Sequence, residues 1–178
     1  MYQSGYLTIE KKEEQALTLD YPNKEVLNSI SQHYLSLYYH VGQYSAIGND
    51  LWRALSSGDL RRAKELYNTA LAGIPYQLLA NGNEAQYHAL FLMLLRGAGI
   101  SGGEVSSAMG RCDAVITFPG RVIVLEFKLA RSAKQAAAKS KEGELQIAER
   151  GYSDSFGADT RPVQRDVIVI DAQKRRAL

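Results

Sequence analysis

The chain has 178 residues, 46% of them hydrophobic, a formal net charge of +2 and a single cysteine, Cys112. That length supports a sizeable core in one domain, or in one domain with a helical subdomain, while a charge of +2 is too small to announce a nucleic-acid partner by itself. One cysteine excludes an intramolecular disulfide and a cysteine-based zinc site, in keeping with a reducing cytosol, and no leader or membrane-length apolar run is found, so a soluble cytoplasmic protein without a membrane partner is expected.

In chain order, residues 5–10 and 15–20 alternate around a charged Lys-Lys-Glu-Glu segment and predict a hairpin. Residues 23–40 predict an amphipathic helix capped by Asn23, with Val26, Ile30, Leu35 and Tyr38 near one face. Two more helices follow over 46–54 and 59–71, separated by a Ser57-Gly58 break. The character changes at Pro75 and again at Gly82, dividing the chain into residues 1–75, a hairpin plus helical extension, and 76–178. A strongly apolar helix over 84–96 ends at Gly97-Ala-Gly99, and 104–107 predicts a short strand. Strands over 112–118 and 121–128 meet at Pro119-Gly120. A helix over 133–150, with Gly143 as a candidate interruption, precedes the apolar run 166–171, which reads as a strand covered on both faces. The second half therefore runs α, β, β, β, α, β.

The most informative segment is the hairpin at Pro119-Gly120. With a two-residue loop, Phe118 faces Arg121, and counting outward sets Asp113 opposite Glu126, where two carboxylates repel each other. Lys128 lies two residues beyond Glu126 and so shares its face. Charges on otherwise apolar strands are costly unless paired or bound to metal, so a divalent cation would relieve the patch. A purely structural ion-pair network, with Asp113 and Lys128 around Glu126, fits the same spacing. Pro-Gly also favours a type II turn, whereas two-residue hairpins prefer primed turns, and a longer loop would shift the register.

Asp113, with Glu126-Phe-Lys128 thirteen residues on, preceded by a helical Glu84 and followed by Gln146-Ile-Ala-Glu-Arg-Gly-Tyr152, resembles the PD-(D/E)XK, or restriction-endonuclease-like, nuclease superfamily. Cys112-Asp113 stands where that superfamily has Pro-Asp. More narrowly, Tyr2-Gln-Ser-Gly-Tyr-Leu-Thr-Ile9, Tyr21-Pro-Asn-Lys-Glu-Val26 and Gly110-Arg-Cys-Asp113 resemble the nuclease half of bacterial proteins that carry an AAA-ATPase-like domain upstream. The resemblance implies an α/β fold: a restriction-endonuclease-like mixed sheet flanked by helices (αβββαβ core), with an N-terminal β-hairpin and helical extension.

The resemblance also implies a Mg²⁺- or Mn²⁺-dependent nuclease acting on DNA in preference to RNA. Asp113, Glu126, the Phe127 carbonyl and Glu84 would then hold the metal or its water, since magnesium takes hard oxygen ligands and keeps several waters. Lys128 would orient the attacking water or stabilise charge on the phosphate. Gln146 would join the catalytic set, and Lys139, Arg150, Tyr152 and Arg111 would touch nucleic acid. An AAA-type ATPase domain or protein is the implied partner, and cutting both strands calls for two active sites, which a homodimer would supply. The alternatives are a non-cleaving nucleic-acid-binding module and a regulatory domain of an ATPase partner.

Other features point to simpler roles. Glu84 also suits a helix start, where a carboxylate meets the positive end of the dipole. His33, His40 and His88 lack metal-ligand spacing, and Tyr34, Tyr38 and Tyr39 suit helix packing. Arg61, Arg62 and Lys64, like Lys174, Arg175 and Arg176, read as solvated faces that can still hold nucleic acid by counterion release. The glycine-rich stretch 97–103 follows a helix and lacks Lys-Ser or Lys-Thr, so it is not a nucleotide loop.

Overall fold

A computed structural model describes residues 4–14, 16–39, 44–100, 102–107, 110–149 and 160–178, with backbone alone at 38–39, 44–45, 102–107, 110–111 and 133. The N-terminal hairpin pairs β1 (Thr8–Lys12) with β2 (Leu17–Asp20), with Ile9 opposite Leu19 and an irregularity before Lys11. Helix α1 (Lys24–Tyr39) starts at the expected cap: Asn23 Oδ1 accepts the Val26 N–H at 2.9 Å. Helix α2 (Tyr44–Ser57) is longer at both ends than its periodicity suggests. Helix α3 (Leu60–Ala72) is capped by Asp59, whose side chain accepts the Arg62 N–H. A one-turn helix α4 (Tyr76–Leu79) follows Pro75, where the sequence reading has none. It is too short to show a periodicity.

The rest of the chain builds a mixed sheet. Helix α5 (Glu84–Gly97) leads into β3 (Gly102–Ser107), β4 (Gly110–Phe118) and β5 (Arg121–Ala130). Helix α6 (Ala133–Glu149), β6 (Val163–Asp171) and the two-residue β7 (Arg176–Ala177) complete it. The strand order is β3-β4-β5-β6-β7. Only β5 and β6 are parallel, and α6 lies in the connection between them. The β4–β5 turn is the two-residue one read from Pro119-Gly120, with Phe118 paired to Arg121.

Helices cover both faces of this sheet, and strand alternation sorts the side chains between them. Ile123, Leu125, Phe127, Ile168 and Ile170 join a core with α1, α2, α3 and α5, including Leu35, Leu51, Leu55, Tyr67 and Phe91. This core draws residues from both sides of position 75. Val122, Val124, Ala130, Val167 and Val169 point the other way and pack with Ile147 of α6. Helix α6 runs unbroken through Gly143, correcting the interruption expected there. The glycine is needed for packing: a Cβ at that position would lie 2.6 Å from Val167 Cγ1, so the helix approaches β6 where a side chain would collide. Among the described residues, no helix is long and apolar enough to cross a membrane.

Candidate active site

The site forms where the β4–β5 ladder ends. Paired residues run from Phe118↔Arg121 to Ala114↔Leu125, one pair short of Asp113 and Glu126. On its other edge β4 skips register against β3: Gly103 faces Val115 but Val105 faces Cys112, so Asp113 and Ala114 together oppose Glu104. This is a β-bulge, a device that leaves one residue out of the ladder and re-aims its side chain. Strand β5 runs on without β4, exposing backbone groups that a ladder would have satisfied. Two carboxylates replace the missing strand. Asp113 Oδ2 accepts the Phe127 N–H at 2.8 Å, and Glu84 Oε2 accepts the Leu129 N–H at 2.8 Å.

These two amides are two residues apart on one strand, about 7 Å. Because the N–H and C=O of a residue leave the same strand edge, the Phe127 carbonyl projects beside the two carboxylates. Glu84 is available for this role because its neighbours cap the helix: the Asn83 side chain accepts the Gln86 N–H, and the Gln86 side chain accepts the Asn83 N–H. This capping box takes over the helix-start chemistry, leaving Glu84 to reach the sheet.

On the α6 face of β5, Glu126 is 1% and Lys128 6% exposed, and Lys128 Nζ donates to Glu126 Oε1 at 3.0 Å. Gln146 of α6 also donates its side-chain amide to Glu126 Oε1. Removing two such charges from water costs several kcal/mol per ion, so each requires the other. One turn before Gln146, Glu142 pairs with Lys139 at 2.7 Å. That hydrogen bond, which outweighs the opposing effect of burial, holds the Glu142 carboxyl below its ordinary range, helped by the charges of Lys139 and Lys128.

His88 supports the bulge from α5. Its Nε2 lies 2.7 Å from the Asp113 carbonyl oxygen. A carbonyl can only accept, so this nitrogen carries the proton, fixing the tautomer. The imidazole packs 5.1 Å from the Phe127 ring, which continues through Phe91 to Tyr67 in an aromatic row beneath the site. Burial pushes the Tyr67 hydroxyl well above its ordinary value, and this hydroxyl donates to the Tyr87 carbonyl at 2.6 Å. Burial also pushes the Cys112 thiol up to about 12, with smaller contributions from Glu126 and Asp113. Cys112 is thus an inert packing group beside the charges.

The structure brings Asp113, Glu126, Phe127, Lys128, Glu84 and Gln146 to one end of β5, with Lys139 two turns away from Gln146 on α6. Arg150 and Tyr152 lie outside the described residues, and for Arg111 only the backbone in β4 is described. The sequence reading missed His88 as the partner of the bulge and Glu142 as the counter-ion of Lys139. His88 lies among the buried positions of α5, a pattern common to core residues. The i,i+3 spacing of Lys139 and Glu142 is a legible pair signal. Among the described residues, no group of three or more His, Cys, Asp or Glu side chains is placed to hold a metal ion.

Residues 82–178, more than half of the chain, match the family model of the PD-(D/E)XK nuclease superfamily. The chain is also 25% identical over 173 residues to an uncharacterised protein in the vnfD 5′ region of Azotobacter chroococcum mcd 1, a match covering 92% of this chain and 33% of that protein. The chain thus spans about a third of the length of this curated relative.

Proposed function

Because the chain belongs to the PD-(D/E)XK nuclease superfamily, we propose that it is a divalent-metal-dependent nuclease that hydrolyses phosphodiester bonds in DNA in preference to RNA. The observation that carries this reading is the pair of carboxylates, Asp113 and Glu84, on consecutive outward amides of β5, with Lys128 on the same strand segment. A purely structural strand end would satisfy its amides without collecting three carboxylates and a lysine within a few residues.

The donor chemistry fits Mg²⁺ or Mn²⁺. Asp113, Glu84 and the Phe127 carbonyl offer hard oxygens at one edge, with Glu126, the fourth ligand expected from the sequence, engaged by Lys128 and Gln146, and Mg²⁺ needs only one or two carboxylates because it retains waters. When bound, the ion would shield phosphate charge and acidify water. Glu126 holds the Lys128 ammonium in place, and the Gln146 amide fixes Glu126 from α6. Lys128 then presents its remaining N–H donors to the attacking water or to a non-bridging phosphate oxygen. His88 keeps the bulge in shape and so keeps Asp113 aimed at the edge. Lys139, Arg150, Tyr152 and Arg111 complete the proposal as contacts to the strand backbone.

The engagement of Glu126 by both Lys128 and Gln146 favours a second reading, a module that binds nucleic acid without cleaving it. We further assign residues 1–75 to a hairpin-and-helix extension and 76–178 to the nuclease-like core. An AAA-type ATPase domain or protein is the proposed partner, a homodimer the proposed assembly and the cytoplasm the proposed setting.

The test is cleavage of supercoiled plasmid and labelled single-stranded DNA and RNA with Mg²⁺ or Mn²⁺, for the protein and its Asp113→Ala variant. Cleavage that vanishes in EDTA and in the variant is expected. Salt-sensitive binding with no cleavage would transfer the reading to the binding module, and neither activity, with co-purification of an ATPase, to a regulatory domain.

A further inference from the structure

We propose that Tyr76 and Arg175 form a stacking site for an unpaired nucleobase, on the strand that enters the active site. This inference rests on the nuclease reading and extends it to substrate structure. Arg175 Cζ lies 5.7 Å from the centroid of the Tyr76 ring, yet Tyr76 is 63% exposed. The guanidinium covers part of the ring and leaves most of it to solvent.

Three further observations set Arg175 apart from an ordinary surface arginine. It is the non-glycine residue with positive φ among the described residues, at +51°. Such backbone persists only where its surroundings enforce it, and it gathers at functional positions. The enforcing contacts are present: Asp171 Oδ1 accepts the Gln173 and Lys174 N–H groups at 2.9 and 3.0 Å, and Asp171 pairs with Arg176 across the β6–β7 turn. The guanidinium Nη1 of Arg175 is buried with no hydrogen-bond partner among the described residues. Nη1 is closed to solvent, so the open Tyr76 ring suits a stacked base whose phosphate meets the exposed Lys174 and Arg176 beside it.

The location connects this pair to the site. Asp171 pairs with Ala130, two residues beyond Lys128, so the turn carrying Arg175 stands at the same end of the sheet as the Glu84–Leu129 contact. Arg175 is also close enough to Tyr87, one helical turn along α5 from Glu84, to offset part of the rise that burial imposes on its hydroxyl. Lys174 and Arg176 flank the site with exposed positive charge. Bases in a duplex are already stacked on their neighbours, so an isolated tyrosine face selects strands whose bases are unpaired.

The experiment is fluorescence anisotropy in Ca²⁺ without cleavage. It compares a labelled oligo-dT strand of about 12 nucleotides, the same strand with abasic sites and a duplex of equal length, with about this length chosen to fill one single-strand site. Tyr76→Ala should weaken oligo-dT binding about 5- to 150-fold, the range of one lost base–aromatic stack. Tyr76→Phe should restore it, duplex binding should not change, and the thermal midpoints of both variants should match the parent. Lys174→Ala should lower the salt dependence of binding by about one counterion. Unchanged oligo-dT affinity in Tyr76→Ala, or equal affinity for the abasic strand, overturns the inference. Metal-dependent cleavage that still requires Asp113 in that case leaves the nuclease reading intact. Loss of stacking affinity in a protein whose cleavage does not depend on Asp113 does the reverse.

Discussion

The two halves of β5 follow different rules. From Val122 to Leu125 the strand is hydrogen-bonded on both edges, to β4 and to β6, and all four residues are buried. From Glu126 to Ala130 it keeps β6 but loses β4, and the vacated edge is taken by the Asp113 and Glu84 carboxylates. The first half is satisfied by backbone alone and can be wholly apolar. The second half draws polar side chains from α5, α6 and the bulge in β4, because an unpaired amide in a buried setting must find an acceptor. The site therefore arises from one interrupted ladder, with the intact half as its rigid support.

This contrast can be tested from either half of the strand. The largest expected effect belongs to Lys128→Ala: single-turnover cleavage falls by about 10²- to 10⁴-fold, the usual range for a lost proton-handling or charge-stabilising group. Mn²⁺ affinity measured by calorimetry should be nearly retained, and an equal loss of both quantities would remove the assigned role of Lys128. Glu126→Ala strands the Lys128 ammonium, 6% exposed, and should cost about 3–5 kcal/mol in urea unfolding. Glu126→Gln, which keeps an acceptor oxygen, should be milder.

Ile123→Ala, in the intact half, removes a fully buried side chain and should cost about 2–5 kcal/mol. Turnover per folded molecule should not change. Reduced turnover without reduced stability would erase the distinction between the two halves.

The smallest effect concerns Cys112, which adjoins the charged half. Its thiol, ordinarily near 9, is pushed to about 12 by burial in the folded chain, so the folded state holds this proton more tightly. The resulting stability is complete below about pH 9 and is lost as the pH rises toward 12. Denaturant midpoints measured across that window should fall less steeply for Cys112→Ala than for the parent, with Tyr67 titrating in both. Below pH 9, the thiol should react with a disulfide reagent only after unfolding.

Much of the scaffold was legible locally. The two-residue turn at Pro119-Gly120 set the Phe118–Arg121 pairing, and the Asn23 cap depends on a side chain three residues from the amide it caps. The apolar run of β6 is equally short-ranged, as is the spacing that puts Glu126 and Lys128 on one face, whereas the expected pairing of Asp113 with Glu126 does not form, because the β4–β5 ladder ends at Ala114 and Leu125. Helix α4 and β7 escaped because four and two residues carry no period.

The partner of each polar group was settled by long-range packing. The Glu84–Leu129, His88–Asp113 and Gln146–Glu126 contacts span 45, 25 and 20 residues, distances over which no local pattern specifies a partner. They exist because β3 and β4 differ by one residue at the bulge, ending the β4–β5 ladder before Asp113, and because α5 and α6 pack on opposite faces of the strand that continues. Local sequence dictates which residues can carry charge at this end of the sheet; packing selects which of them meet, since a buried charge or amide takes whichever partner the fold brings within hydrogen-bonding distance.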